Sequence, residues 1–204
     1  MFEIHKSCGR FDNKVFRSKP FDLYTYTCYA GEHNPIVENG DSLWTINARG
    51  EAKVTRGTGN REYTSGMGVV MRGYQCDEKT SSIQTYSNLP YVNGCSTHQI
   101  FPPVRAGDPT LQLLYLPPHT AEQAHHIHST VRCVYVLEGE GYSVQGMKDD
   151  VEVKLEAGDV IVLDKMTPHH FRTEGSHLVV VPFHVYSSTV LEHSHPMKDG
   201  THII

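Results

Sequence analysis

His126-Ile127-His128 places two imidazoles two residues apart. Along an extended strand alternate side chains share a face, so both rings point the same way. His169, beside Pro168, comes about forty residues later. Imidazole is the commonest protein metal ligand, and two from one strand plus one from a neighbour make a facial set with open positions. His126, His128 and His169 are therefore the candidate ligands of one divalent metal ion, and three imidazoles suit Fe, Zn, Ni, Cu or Mn. His125 and His170 flank the set, but parity turns both to the opposite face. His193-Ser194-His195 repeats the spacing in a Pro-bounded tail with no strand around it, where solvated side chains are the expectation.

Arg132 lies four residues after His128, so counting by twos it faces inward as well. An arginine cannot ligate and stays cationic. Beside a divalent ion it is costly unless an anion offsets it. Either it swings away and leaves a bare three-histidine centre, or it receives an anionic substrate, most simply a carboxylate. Cys133 and Tyr135 point to the other face and read as core. Tyr115, Tyr142, Gln112 and His184 are candidate pocket liners, with Phe101 through Val104 as a candidate lid.

The segments that must position these residues read as strands. Val134-Tyr135-Val136-Leu137 runs into Glu138-Gly139-Glu140-Gly141, and Val151-Glu152-Val153-Lys154-Leu155 alternates strictly, as a half-exposed strand does. Val160–Leu163 and Leu178–Val181 are apolar without a break, as in strands between two packed layers. No stretch makes an amphipathic helix, so the class is all-β.

With 204 residues the chain is long enough for one large domain or two small ones. A net charge of −5, without any Lys/Arg run, argues against nucleic acid and acidic membrane as partners. No apolar run is long enough to span a bilayer, and the first residues lack the layout of a secretory signal. Five scattered cysteines, Cys8, Cys28, Cys76, Cys95 and Cys133, read as free thiols of a cytoplasmic protein. Fourteen histidines are the unusual feature of the composition.

The second half of the chain echoes the first. Leu43-Trp44-Thr45-Ile46 with Gly50-Glu51-Ala52 lies over Val134-Tyr135-Val136-Leu137 with Gly139-Glu140-Gly141, and Gly68-Val69-Val70 lies over Gly158-Asp159-Val160. The offset is about ninety residues. Val37 and Asn39 stand opposite His126 and His128, so the first half lacks the ligands. The expected division is an N-terminal arm over 1–20, a degenerate β unit over 21–95, a metal-binding unit over 96–190 and a polar, loosely held tail over 191–204. A single barrel with a long N-terminal β extension is the alternative.

The motifs around the histidines resemble those of the cupin superfamily. Its first motif, G(x)5HxH(x)3–4E(x)6G, is matched by His126-x-His128, Arg132 and Gly139, with Arg132 in the place of the acidic ligand and no leading glycine. Its second, G(x)5PxG(x)2H(x)3N, is matched from Gly158 to His169, with Asp164-Lys165-Met166 replacing Pro-x-Gly and no closing Asn. The resemblance implies a cupin β-barrel or jelly roll, in two cupin-like halves if the repeat holds, and a homodimer. Cupins with three histidines and no acidic ligand include dioxygenases that use Fe(II). The resemblance thus implies a metal-dependent enzyme, a non-haem Fe(II) dioxygenase acting on a small polar or acidic molecule. A ligand-binding sensor, or a redox-neutral isomerase or lyase at the same site, are the other readings it leaves open.

Overall fold

The computed structural model describes residues 2–5, 15–21, 24–85, 88–105, 107–120, 125–147, 151–185 and 201–203. Among these the elements are strands, apart from one three-residue 3-10 turn at Val92–Gly94. The chain divides into two compact units. One holds residues 4–84 with 158–160, the other 85–157 and 161–204 with 1–3.

The N-terminal unit carries its own antiparallel sheet of six strands. Their order is Val15–Phe21, Tyr24–Ala30, Met67–Arg72, Ser42–Ile46, Glu51–Arg56, Lys79–Ser82. The alternation in Glu51–Arg56 explains one face: Ala52 and Val54 are buried while Glu51 and Lys53 are exposed. Tyr29, Val37, Leu43 and Val70 form a buried cluster. Trp44 is buried too, and its indole Nε1 donates to Ser42 Oγ at 3.0 Å. Val37, opposite His126 by sequence, is thus a core residue, and Asn39 is exposed.

In the C-terminal unit Ser96–Phe101 pairs with Thr110–Leu116, which pairs with Leu178–His184. Leu178–His184 is buried at every position, which accounts for its unbroken apolar run. It pairs in turn with the first half of the fourteen-residue strand Arg132–Gln145. The second half of that strand pairs with Val151–Glu156 and His169–Arg172. The change of partner comes after a register shift between Val136 and Glu138, and Gly139 sits there at φ +78°. A Cβ at Gly139 would lie 2.0 Å from the His177 carbonyl oxygen, so no other residue fits without movement.

Part of the pairing runs alike in the two halves of the sequence. Gly50 also has a left-handed backbone, φ +73°, in the position matching Gly139. After it, Glu51–Arg56 pairs with Lys79–Ser82 as Glu140–Gln145 pairs with His169–Arg172. The segments before the glycines differ: Ser42–Ile46 folds back on Glu51–Arg56, whereas Arg132–Val136 pairs with Leu178–His184. The tail, expected to be loosely held, contributes Thr201–Ile203, which pairs with His126–His128. His193-Ser194-His195 lies outside the described residues. Cys28, Cys76, Cys95 and Cys133 are in no disulfide, and Cys8 lies outside the described residues.

Candidate metal centre

The ligand strand is only three residues long, with His126 and His128 buried and Ile127 half-buried between them. His126 is the direct antiparallel partner of His169. A tight turn completes the arrangement: Thr167 N–H donates to the Asp164 carbonyl at 3.2 Å, and Met166 N–H donates to the His128 carbonyl at 2.7 Å. Met166 takes φ +59°, a left-handed backbone at the place where the second motif has its glycine. The turn thereby ties the strand of one ligand to the strand of the next.

The three rings converge. Their centroids are 4.8 Å apart for His126–His128, 4.6 Å for His126–His169 and 5.0 Å for His128–His169. Their ligand atoms all lie within 4.8 Å of one another. His169 donates Nδ1–H to the Thr167 carbonyl at 2.7 Å, which leaves its Nε2 lone pair bare and fixes the ring as a metal-ligating histidine needs. Burial, then the charge of Arg132, pushes His128 well below the ordinary imidazole range. Burial, then His126, does the same for His169. Both rings are neutral at ordinary pH, the form that ligates. The donor set fits a divalent ion, and among the described residues it contains no carboxylate.

Arg132 is buried, 2% exposed, and it faces the rings: Nη2 donates to His128 Nδ1 at 3.2 Å. His184 stands opposite Arg132 across the strand pair, its ring centroid 6.4 Å from that of His128. These five polar side chains share one cavity, walled by Leu114, Val134, Leu163, Phe171, Pro182 and Tyr91. The free volume at its centre is about 20 Å³, room for one or two water-sized groups.

The remaining candidates go elsewhere. His125 and His170 meet each other on the outer face, Nδ1 to Nδ1 at 2.8 Å, and His125 Nε2 donates to the Gly146 carbonyl at 2.6 Å. Cys133 and Tyr135 are buried away from the cavity. Of the expected liners only His184 contributes. Tyr115 stacks on His177, and Tyr142 packs under the Arg172 guanidinium, 4.0 Å from its ring centre. Gln112 is buried outside the cavity wall, Phe101 is core, and Val104 is exposed. Tyr91 was not foreseen, since it sits in a connector and belongs to no periodic pattern.

A family model described as a cupin domain matches residues 112–186, which include both motifs and all three histidines. This segment is a cupin domain. The cupin architecture extends further in solved structures. A cupin 2 conserved barrel domain protein from Leptotrichia buccalis matches at 11% identity and TM-score 0.54, over 89% of this chain and 95% of its own. Vicilin from tomato, Solanum lycopersicum, matches at 10% identity and TM-score 0.52, over 79% of this chain and 74% of its own. A salicylate 1,2-dioxygenase variant from Pseudoaminobacter salicylatoxidans matches at 13% identity and TM-score 0.49, over 79% of this chain and 68% of its own. At such identities the first two likenesses show fold alone. No curated protein matches the sequence. No helix is long and apolar enough to cross a membrane among the described residues.

Proposed function

We propose that the cupin domain holds one divalent metal ion on His126, His128 and His169 and is an oxidoreductase, a ferrous dioxygenase acting on a small carboxylate-bearing molecule. The observation that carries this reading is the enclosure of three imidazoles and one guanidinium in a single cavity, with no carboxylate among the described residues of the donor set. Neutral imidazoles cancel none of a divalent charge, and Arg132 adds its own, so the cavity is complementary to an anion. When bound, a ferrous ion supplies open coordination positions and redox chemistry. The chain's own residues do the rest. Arg132 can offer a carboxylate two parallel N–H donors. Leu163, Phe171 and Pro182 keep bulk water from the polar end. His184, beside Arg132, is within reach to hold or accept a proton from the same ligand.

The narrow cavity favours a second reading, a binding module in which the ion is structural. Elemental analysis of protein purified without added metal, and then oxygen uptake with a panel of small acids, separates the two. Iron with acid-dependent oxygen uptake is the expected result. Metal without uptake for any acid would leave the binding module or redox-neutral chemistry at the same site, and absence of metal at these histidines would leave only a binding module without an ion.

A further inference from the structure

The N-terminal unit has a cavity of its own, about 600 Å³ in volume, a size that takes a small-molecule ligand. Residues of Ser42–Ile46, Glu51–Arg56 and Lys79–Ser82 line it, together with residues 63–65. Glu51 and Lys53 project from the same face of their strand. Pairing sets Thr45, Lys53 and Thr80 in one row across three strands, with Glu51 beside Ser82 in the next. Seven of the twelve lining residues carry a hydroxyl, and Ala52 alone is aliphatic. A ligand that displaces water here must return hydrogen bonds over most of its surface, so it is polar throughout.

The charges narrow the class. Glu51 accepts a hydrogen bond from Asn47 Nδ2 at 2.7 Å and keeps further lone pairs for a ligand. The side chains of Arg49 and Lys53 have no partner among the described residues. Two cations against one carboxylate favour a ligand with an anionic group. The backbone N–H groups of the adjoining turn are already spent. Those of Arg49 and Glu51 donate to Asn47 Oδ1, and that of Gly50 donates to the Asn47 carbonyl. Phosphate sites are commonly nests of free N–H groups, whereas a carboxylate is met by side-chain cations alone. Tyr63 adds an aromatic wall. Its ring is 60% exposed, and its hydroxyl is held by Glu32 Oε1 at 2.9 Å. A tyrosine so placed offers an apolar ring face beside a polar tip, as suits a ring with C–H faces and hydroxyl edges.

We infer that this cavity binds a sugar acid, a hydroxylated ring bearing one carboxylate. The carboxylate is held by Arg49 and Lys53, and the ring hydroxyls by Glu51, Asn47 and the threonine and serine side chains. The inference does not rest on the metal-centre reading, since every lining residue belongs to the N-terminal unit and none to the histidine set.

The test uses the full chain, labelled with nitrogen-15, and follows its backbone amide shifts while D-glucuronate, D-galacturonate, glucose or acetate is added. At least one of the two uronates should shift the amides of Asn47, Arg49, Glu51, Lys53 and Thr80 to saturation. Glucose, which lacks the charge, and acetate, which lacks the hydroxyls, should each bind about ten- to a hundredfold more weakly. The double variant Arg49→Met, Lys53→Met should bind the uronate no better than glucose. Acetate as tight as the uronate would reduce the site to an anion patch, and glucose as tight would remove the role of the two cations. Either result overturns the inference. So does a failure of both uronates to saturate, or shifts that fall around Arg132 and not here, and the metal centre stands in each case. Should the double variant fail to fold, the four ligands on the wild-type chain decide alone.

Discussion

At the scale of single residues, the site turns on which side of a strand each histidine occupies. His169 and His170 are neighbours in sequence, yet one faces His126 and His128 while the other meets His125 on the outer face. His169→Ala should remove most of the bound metal, and His170→Ala should leave it in place, both measured as metal per chain after purification. Equal losses would mean that the outer pair, not the inner set, holds the ion. Parity made this legible because side-chain direction in a strand depends on nothing but the count. The same rule failed for Tyr142. Counting by twos from Arg132 aims Tyr142 inward, but the register shift between Val136 and Glu138 intervenes and turns the residues beyond it. His184 was legible only as a candidate, since it ends a run buried on both faces, where alternation carries no signal.

Among the elements, the long strand Arg132–Gln145 does the most, because it pairs with one set of strands before its bend and another after it. Gly139 makes that bend. Gly139→Ala forces a side chain onto a left-handed backbone and against the His177 carbonyl oxygen. The backbone alone should cost about 1–3 kcal/mol, read as a lower denaturant midpoint. Gly175→Ala is the control, since an added Cβ there meets nothing within 4 Å, and it should change stability by less than about 1 kcal/mol. A Gly139→Ala protein as stable as the control would show that the strand has another way to bend. The glycine was visible in the sequence as part of the motif. The turn at Asp164–Thr167 was legible only as the motif position of Asp164-Lys165-Met166, and its left-handed residue was not, because Met166 takes that conformation without being a glycine. Composition gives no hint of that, since only the surrounding hydrogen bonds hold it there.

For the molecule as a whole, burying neutral histidines ties stability to pH. His128 and His169 lie well below the ordinary imidazole value, chiefly through burial. Once unfolded, each takes up a proton as pH drops below about 6.5. Below that point the unfolded chain binds more protons than the native one, so native stability falls with decreasing pH, by at most about 1.4 kcal/mol per pH unit for each ring. Above it the two rings contribute no slope. The metal-free protein should therefore lose stability on acidification through this window, monitored by circular dichroism in urea, and stability flat from about pH 7 to 5 would contradict the burial of both rings. Trp44, the chain's single tryptophan, belongs to the N-terminal unit, so its fluorescence reports on the half without the histidine set. The all-β class was legible from the lack of any amphipathic helical pattern. The different partners of Ser42–Ile46 and Arg132–Val136 were not, because pairing across a sheet is decided by segments far apart in sequence.

The pairing of Thr201–Ile203 with His126–His128 also bears on how the protein should be handled. A run of histidines appended after Ile204 for affinity purification would begin one residue beyond a strand that lies alongside the ligands. Nickel or cobalt leaching from the resin would be delivered next to the cluster, and the added imidazoles would compete with it for whatever ion the cell provided. Metal contents taken from such material would describe the purification, not the protein. A tag at the other end, or none, keeps the measurement clean.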